Sequence, residues 1–443
     1  MKSIGLAAGF AAGMSILSMS PAFAVTEVTW WHAMGGELGA KLEQIVAGYN
    51  ASQGEYKVTP VYKGTYAETM TAAIAAFRAG QQPEIVQVFE VGTGTMMAAK
   101  GAVYPVYQLM KDAGEPFNPA DYLSAVVGYY TDTDGNMLSM PFNSSTPILY
   151  YNKDVFQKAG LDPETAPKTW EDVEAYSRKI MESGAAKCGF TTGWISWVQL
   201  ENLSAWHNQP IGTLENGFGG LETELTVNGP VQAKHWTNLK KWQDAGIFQY
   251  GGPVGGNDAP PKFYAQECAI YMNSSASRAG VVANAKDFKV GFGMLPYYAD
   301  VEGAPQNSII GGATLWVLRG ATEAKYKGVA NFFTYLSSAA VQADWHQATG
   351  YLPITQASYD LSKSQGFYEK NPGADVSIEQ ITLNEPTPNS KGLRFGNYVQ
   401  VRTIIDEEFE QLLGGGKDAQ QALDAVVARG NGLIREFEKA NKD

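Results

Sequence analysis

The chain has 443 residues and a formal net charge of −12 at pH 7, which suits two or three domains and argues against nucleic acid or an anionic membrane as partner. A small anion is still allowed, because one Arg and a few N–H groups set a local site whatever the total charge. Composition is that of an ordinary globular protein, 44% hydrophobic and 18% charged, with 10 Trp and 23 Tyr that call for a large core or a cleft lined by rings.

Residues 1–24 have a basic start at Lys2, an apolar segment and a small-residue end, Ala22-Phe23-Ala24. They read as a cleaved secretory signal peptide, too short for a membrane anchor. An exported, periplasmic chain beginning at Val25 is the expectation. No Cys stands directly after the cleavage point, where lipid attachment would need one. Two cysteines remain, Cys188 and Cys268; in an oxidising compartment they can form one disulfide, with two free buried thiols as the alternative.

From 25 onward the pattern alternates. A strand is predicted over 25–32, then a helix from Gly35-Gly36 with Leu38, Leu42, Ile45 and Tyr49 on one face. A second strand covers 56–62, and Thr65 caps a helix carrying Tyr66, Met70, Ile74 and Phe77. A third strand runs over 84–90, followed by a Gly-Thr-Gly-Thr turn and a helix at Met96. Strand–helix–strand at these lengths means a parallel sheet covered by helices. Glu90 at the end of an apolar strand needs a partner, and Tyr66 opens the next helix. Both fall at the carboxyl edge of the sheet, where open α/β folds bind ligands. For Tyr66 a core position is equally consistent.

Residues 122–142 read as a loop-rich crossing. Asn143-Ser144-Ser145-Thr146 offers hydroxyls and free N–H groups, suited to an anion or a polyol. The apolar run 148–151 is a buried strand, with Asn152 or Asp154 as the following cap and Gly160 as the stop. Thr169 caps another helix, and 188–192 is a short strand. Trp194 and Trp197 follow Gly193 at a spacing that puts both rings on one side; core packing and stacking on a polyol are both open. The strand 267–274 ends in Asn273-Ser274-Ser275, repeating the earlier chemistry, so two such ends facing across a cleft would supply four hydroxyls. Strands follow over 288–298 and 309–318. Gly311-Gly312 in the latter permits close backbone approach or a bulge. The last third is helical, with Arg402 beside the apolar face Val401, Ile404, Ile405, Phe409 and Leu412.

Four His are present, none paired at metal spacing, and no P-loop or Gly-x-Ser-x-Gly elbow occurs. No positive sign of an enzyme is found, although two carboxylates meeting in space would be invisible at this level.

The run Pro141-Phe142-Asn143-Ser144-Ser145-Thr146-Pro147-Ile148-Leu149-Tyr150-Tyr151-Asn152-Lys153-Asp154, followed by Lys158-Ala159-Gly160-Leu161 and Lys168-Thr169-Trp170, resembles the extracellular solute-binding proteins of ABC importers. Trp31-His32, Ala75-Ala76-Phe77-Arg78, Trp345-His346-Gln347, Thr349-Gly350-Tyr351-Leu352-Pro353-Ile354 and Lys391-Gly392-Leu393-Arg394 are similar to the sn-glycerol-3-phosphate-binding members of that group. The resemblance implies an α/β, two-lobed fold of the maltose-binding type (type II), each lobe a mostly parallel sheet covered by helices. Lobe 1 would be 25–137 and 308–355, and lobe 2 would be 138–307 and 356–443. It implies ligand contacts from Tyr66, Glu90, Ser145, Trp194, Trp197, Ser274, Gly312, Tyr351 and Arg402. Phosphate would meet Ser145, Ser274, the Gly312 backbone, Tyr351 and Arg402; glycerol would meet Glu90, Tyr66 and the two Trp. Tyr271-Met272-Asn273 is bulkier than the family pattern, which leaves Ser275 as an alternative to Ser274. The ionised Glu90, an acceptor only, would repel phosphate and fix the ligand's orientation from the far end.

The implied function is capture of sn-glycerol 3-phosphate, with glycerophosphodiesters as further ligands, for delivery to inner-membrane permease subunits. No cofactor, metal, catalysis or nucleic acid is expected, and a monomer is. Two other readings fit the residues: the same fold holding an oligosaccharide, and a secreted phosphodiesterase or glycosidase.

Overall fold

The computed structural model describes residue 1 and residues 25–442, apart from 100, 133 and 254. The signal-peptide reading therefore lies outside the described residues. Eleven strands are found among them: β1 Thr26–His32, β2 Tyr56–Tyr62, β3 Ile85–Phe89, β4 Val103–Tyr104, β5 Met140–Ser145, β6 Pro147–Asn152, β7 Cys188–Thr192, β8 Phe248–Tyr250, β9 Cys268–Ser274, β10 Val290–Gly293 and β11 Gly311–Leu318. They form two sheets. One has the order β2-β1-β3-β11-β4, with β5 also on β11; the other has the order β10-β6-β9-β7-β8.

In each sheet one strand runs against the rest. β1, β2 and β3 pair in parallel, while β11 is antiparallel to β3, β4 and β5. In the second sheet β6 is antiparallel to β9 and β10, and β7 is parallel to β8 and β9. The helix-covered α/β arrangement expected from the sequence holds, but the sheets are mixed rather than mostly parallel, because the reversed strand lies inside each sheet and its pairings are antiparallel.

The first sheet is wrapped by helices whose starts follow from local chemistry. Thr65 and Glu68 form a capping box at the start of Tyr66–Arg78. Gly36–Ser52 buries Leu42, Ile45, Val46 and Tyr49. Val28, Trp30, Phe332, Phe333 and Trp345 close the core there. Under the second sheet Trp170, Trp236, Trp242, Phe190 and Phe248 do the same. Most of the tryptophan content is thus core.

The predicted crossing over 122–142 is more regular than its sequence suggests. It holds a helix, Ser124–Tyr130, and β5. β5 pairs Ser145 with Gly311 and Ser144 with Gly312, so it belongs with the first sheet. The chain therefore passes from the first sheet to the second at Thr146. Pro, Asn and Ser are poor strand formers, and β5 is held instead by its ladder to β11 and by buried side-chain hydrogen bonds. Thr146 is the only residue between β5 and β6. Its hydroxyl donates to Ser308 Oγ at 2.6 Å, beside the segment by which the chain returns to β11.

Cys188 and Cys268 are disulfide-bonded, with Cα atoms 4.6 Å apart. They are register partners at the amino ends of β7 and β9.

Candidate ligand-binding site

A cavity of about 430 Å³ opens between the carboxyl ends of the two sheets. All nine residues expected to touch ligand line it: Tyr66, Glu90, Ser145, Trp194, Trp197, Ser274, Gly312, Tyr351 and Arg402. They come from eight separate places in the chain and meet only because both sheets present these ends to one space.

The floor is made by the strand crossing. Ser145 ends β5 and Ser274 ends β9, where Ser274 is the register partner of Pro147. Ser275 N donates to Thr146 O at 2.8 Å, tying the two Asn-Ser-Ser ends together. Of the four hydroxyls expected there, two line the cavity. Those of Ser144 and Ser275 are buried behind it without a hydrogen-bond partner. Between the candidates Ser274 and Ser275, Ser274 is the one on the cavity wall. Gly312 has φ +92°, and a Cβ there would strike the Asn143 carbonyl. A register shift follows at Ala313/Thr314, so close approach of two backbones explains this glycine.

Tyr66 is held by a buried relay. Ala33 N donates to Gln87 Oε1 at 2.8 Å, Gln87 Nε2 to Asn143 Oδ1 at 2.8 Å, and Asn143 Nδ2 to the Tyr66 oxygen at 3.0 Å. The Tyr66 ring stacks on Phe89 at 5.2 Å. Tyr351 stacks on Trp345 at 5.5 Å, and its carbonyl accepts from His346 Nδ1. Burial pushes both tyrosine hydroxyls up, so both are neutral donors.

The two tryptophans sit on unusual backbone. Trp194 has φ +48°, a left-handed conformation costly for a bulky side chain. Trp197 begins a π-helical turn, Trp197–Glu201, a widening common at functional sites. Trp197 is 4% exposed and its ring occupies the space that a side chain at Gly311 would fill.

Arg402 departs from expectation. Its Nε and Nη2 donate to Glu201 at 2.9 and 2.6 Å, and Nη2 also donates to Glu90 Oε1 at 2.6 Å. The Arg402, Glu90 and Glu201 side chains are 8%, 5% and 0% exposed. Burial works against the guanidinium, but Glu201 and Glu90 hold its pKa well above the usual arginine range. Burial raises Glu90 even though Arg402 opposes the rise. An anion end at Arg402 with Glu90 at the far end is therefore not what is found: the two touch. The reason is that a guanidinium this buried must be compensated by charge. Neither carboxylate takes Nη1. Glu201 is not among the residues expected from the sequence: it stands between Ser196, Gln199 and Asn202, so no apolar run singles it out as one singled out Glu90.

A family model described as bacterial extracellular solute-binding protein matches residues 44–375. The chain belongs to the bacterial extracellular solute-binding proteins. Among relatives, it is 52% identical to the sn-glycerol-3-phosphate-binding periplasmic protein UgpB of Yersinia pseudotuberculosis, over 95% of both chains. It is 50% identical to the protein of the same name from Salmonella typhimurium, over 97% of both. Solved solute-binding proteins share the fold. UgpB from Mycobacterium tuberculosis, in complex with glycerophosphocholine, superposes with a TM-score of 0.76 at 20% identity, covering 94% of this chain and 100% of that one. Maltose-bound MalE3 of T. maritima gives 0.75 at 16%, covering 93% and 100%. This chain is thus a solute-binding protein of the maltose-binding-like, two-lobed type.

Proposed function

We propose that this chain captures sn-glycerol 3-phosphate in the periplasm and delivers it to the permease of an ABC importer, catalysing nothing itself. Glycerophosphodiesters are further ligands in this reading. What carries it is the set of nine residues around one cavity, in a chain half identical to proteins named for that ligand. Ser145, Ser274, Tyr351, the Gly312 backbone and Nη1 of Arg402 would hold the phosphoryl group. Tyr66, Trp194 and Trp197 would hold the glycerol, and Glu90, in contact with Arg402, would sit where the glycerol and phosphoryl ends meet. Hydroxyl and N–H donors suit a phosphate. Glu90 has a second carboxylate oxygen to accept from a diol, and the indoles supply flat apolar faces for its CH groups. The lobes would close on the ligand as rigid bodies about the Thr146 crossing, and the protein would act as a monomer.

Calorimetric titration with sn-glycerol 3-phosphate against maltose tests the ligand. Saturable heat with the phosphate and none with maltose is expected; the reverse would replace this reading by an oligosaccharide binder. Incubation of pure protein with glycerophosphocholine tests catalysis: thermal stabilisation without product is expected, and steady release of choline would make it an enzyme. Size-exclusion with light scattering, with and without ligand, tests the monomer.

A further inference from the structure

Among the described residues, the charged side chains lining the cavity are Glu37, Glu90 and Arg402. No lysine or histidine is among them. Arg402 is already shared between Glu90 and Glu201, so the buried cluster carries one negative charge more than its single guanidinium offsets. The other groups facing Glu90 are tyrosines: Tyr66 from the helix after β2, Tyr129 and Tyr130 from Ser124–Tyr130, Tyr351, and Tyr398. Burial keeps all of them neutral, and a tyrosine has no cationic form, so none offsets the negative charge. A phosphomonoester loses its second proton near pH 6 and is a dianion above it. Setting a dianion beside a cluster that is already negative, out of water, brings three net negative charges together where screening is weak.

We infer that a phosphomonoester binds here together with one proton, shared between a phosphoryl oxygen and the Glu90 carboxylate, so that the site accepts the phosphoryl group in its singly charged state. This rests on the ligand reading above. Glu90 is placed for it: it is buried, it already touches the guanidinium expected to meet the phosphate, and its ordinary affinity for protons is raised rather than lowered by its surroundings. A protonated Glu90 also turns from acceptor to donor, which replaces a repulsion with a hydrogen bond. A phosphodiester has one fixed charge and needs no proton. The preference for diester over monoester therefore rises with pH.

The test is calorimetry at pH 7.5 in buffers of different ionisation enthalpy, with Kd followed from pH 7 to 8.5. With sn-glycerol 3-phosphate, uptake of close to one proton is expected, and a Kd that weakens about tenfold per pH unit. With sn-glycero-3-phosphocholine, uptake near zero and a flat Kd are expected. Glu90→Gln, shown to be folded by circular dichroism, should bind the monoester without uptake. Monoester binding with no uptake and a flat Kd would overturn this inference while leaving the ligand reading intact. Equal uptake with the diester, or uptake retained in Glu90→Gln, would overturn it too. Absence of monoester binding at every pH would overturn both.

Discussion

Arg402 carries more at the scale of single residues than any other side chain. It is the shared donor for two carboxylates that are almost fully buried. Arg402→Ala should weaken sn-glycerol 3-phosphate binding well over tenfold, by loss of a charge-assisted contact. It should also destabilise the fold by roughly 3–5 kcal/mol, because Glu90 and Glu201 are left facing one another unpaired. Calorimetry and urea unfolding read the two effects separately, and unchanged affinity would remove Arg402 from the phosphate contacts. Gly312→Ala is a test of backbone alone. A side chain there needs φ near +92° and collides with the Asn143 carbonyl, so a loss of about 1–3 kcal/mol in unfolding free energy is expected. A wild-type unfolding curve would show that β5 and β11 can part without cost. Glu90 was legible in the sequence because an acid that ends an apolar strand demands a polar partner, and Tyr66 because it opens a helix at the same sheet edge. Glu201 was not, since the turn that aims it is π-helical and no residue spacing announces a π-turn.

Among the elements, β7 and β9 form the stiffest link between chemistry and scaffold. Their amino ends are joined by Cys188–Cys268, and their carboxyl ends release Gly193-Trp194 and Ser274 into the cavity. Reduction, or Cys188→Ser with Cys268→Ser, should lower the thermal midpoint by an amount corresponding to about 2–4 kcal/mol. Ligand affinity should change little, because the bridge lies at the ends of the strands remote from the ligand. A severalfold loss of affinity without loss of stability would contradict that division. Helices and hydrophobic strands could be read along the chain from periodicity and caps: Thr65, Asn152 and Thr169 all cap as expected. β5 could not. Its Pro, Asn and Ser residues look like a loop because the strand is paired and buried for polar reasons, and pattern reading weighs apolar alternation. Strand direction was equally hidden, since the reversal of β6 and β11 arises from how the chain crosses between sheets.

For the molecule as a whole, the histidines set the response to acid. His32, His207 and His346 are each held down to about 4 by burial, and burial also lowers His235 well below the usual histidine range. The fold therefore holds them neutral. Their contribution is present above pH 6.5 and is lost as pH falls from there towards 4, with each tenfold of proton affinity worth about 1.4 kcal/mol. Urea midpoints at pH 7.5, 6 and 5 should decline in that order, and His346→Gln should flatten part of the decline. A midpoint constant over this range would mean that these rings are solvated.

The crossing at Thr146 has a mechanical consequence. If the halves turn about this crossing, as proposed, the pivot and the floor of the pocket would be the same few atoms, because one residue separates Ser145 from Pro147. A rotation of one half against the other would then strain the peptide groups that face the cargo. Seating a solute and swinging the jaws are then one mechanical event, and a longer, looser join inserted at this point would let the pocket fill without the outer rims ever reporting it.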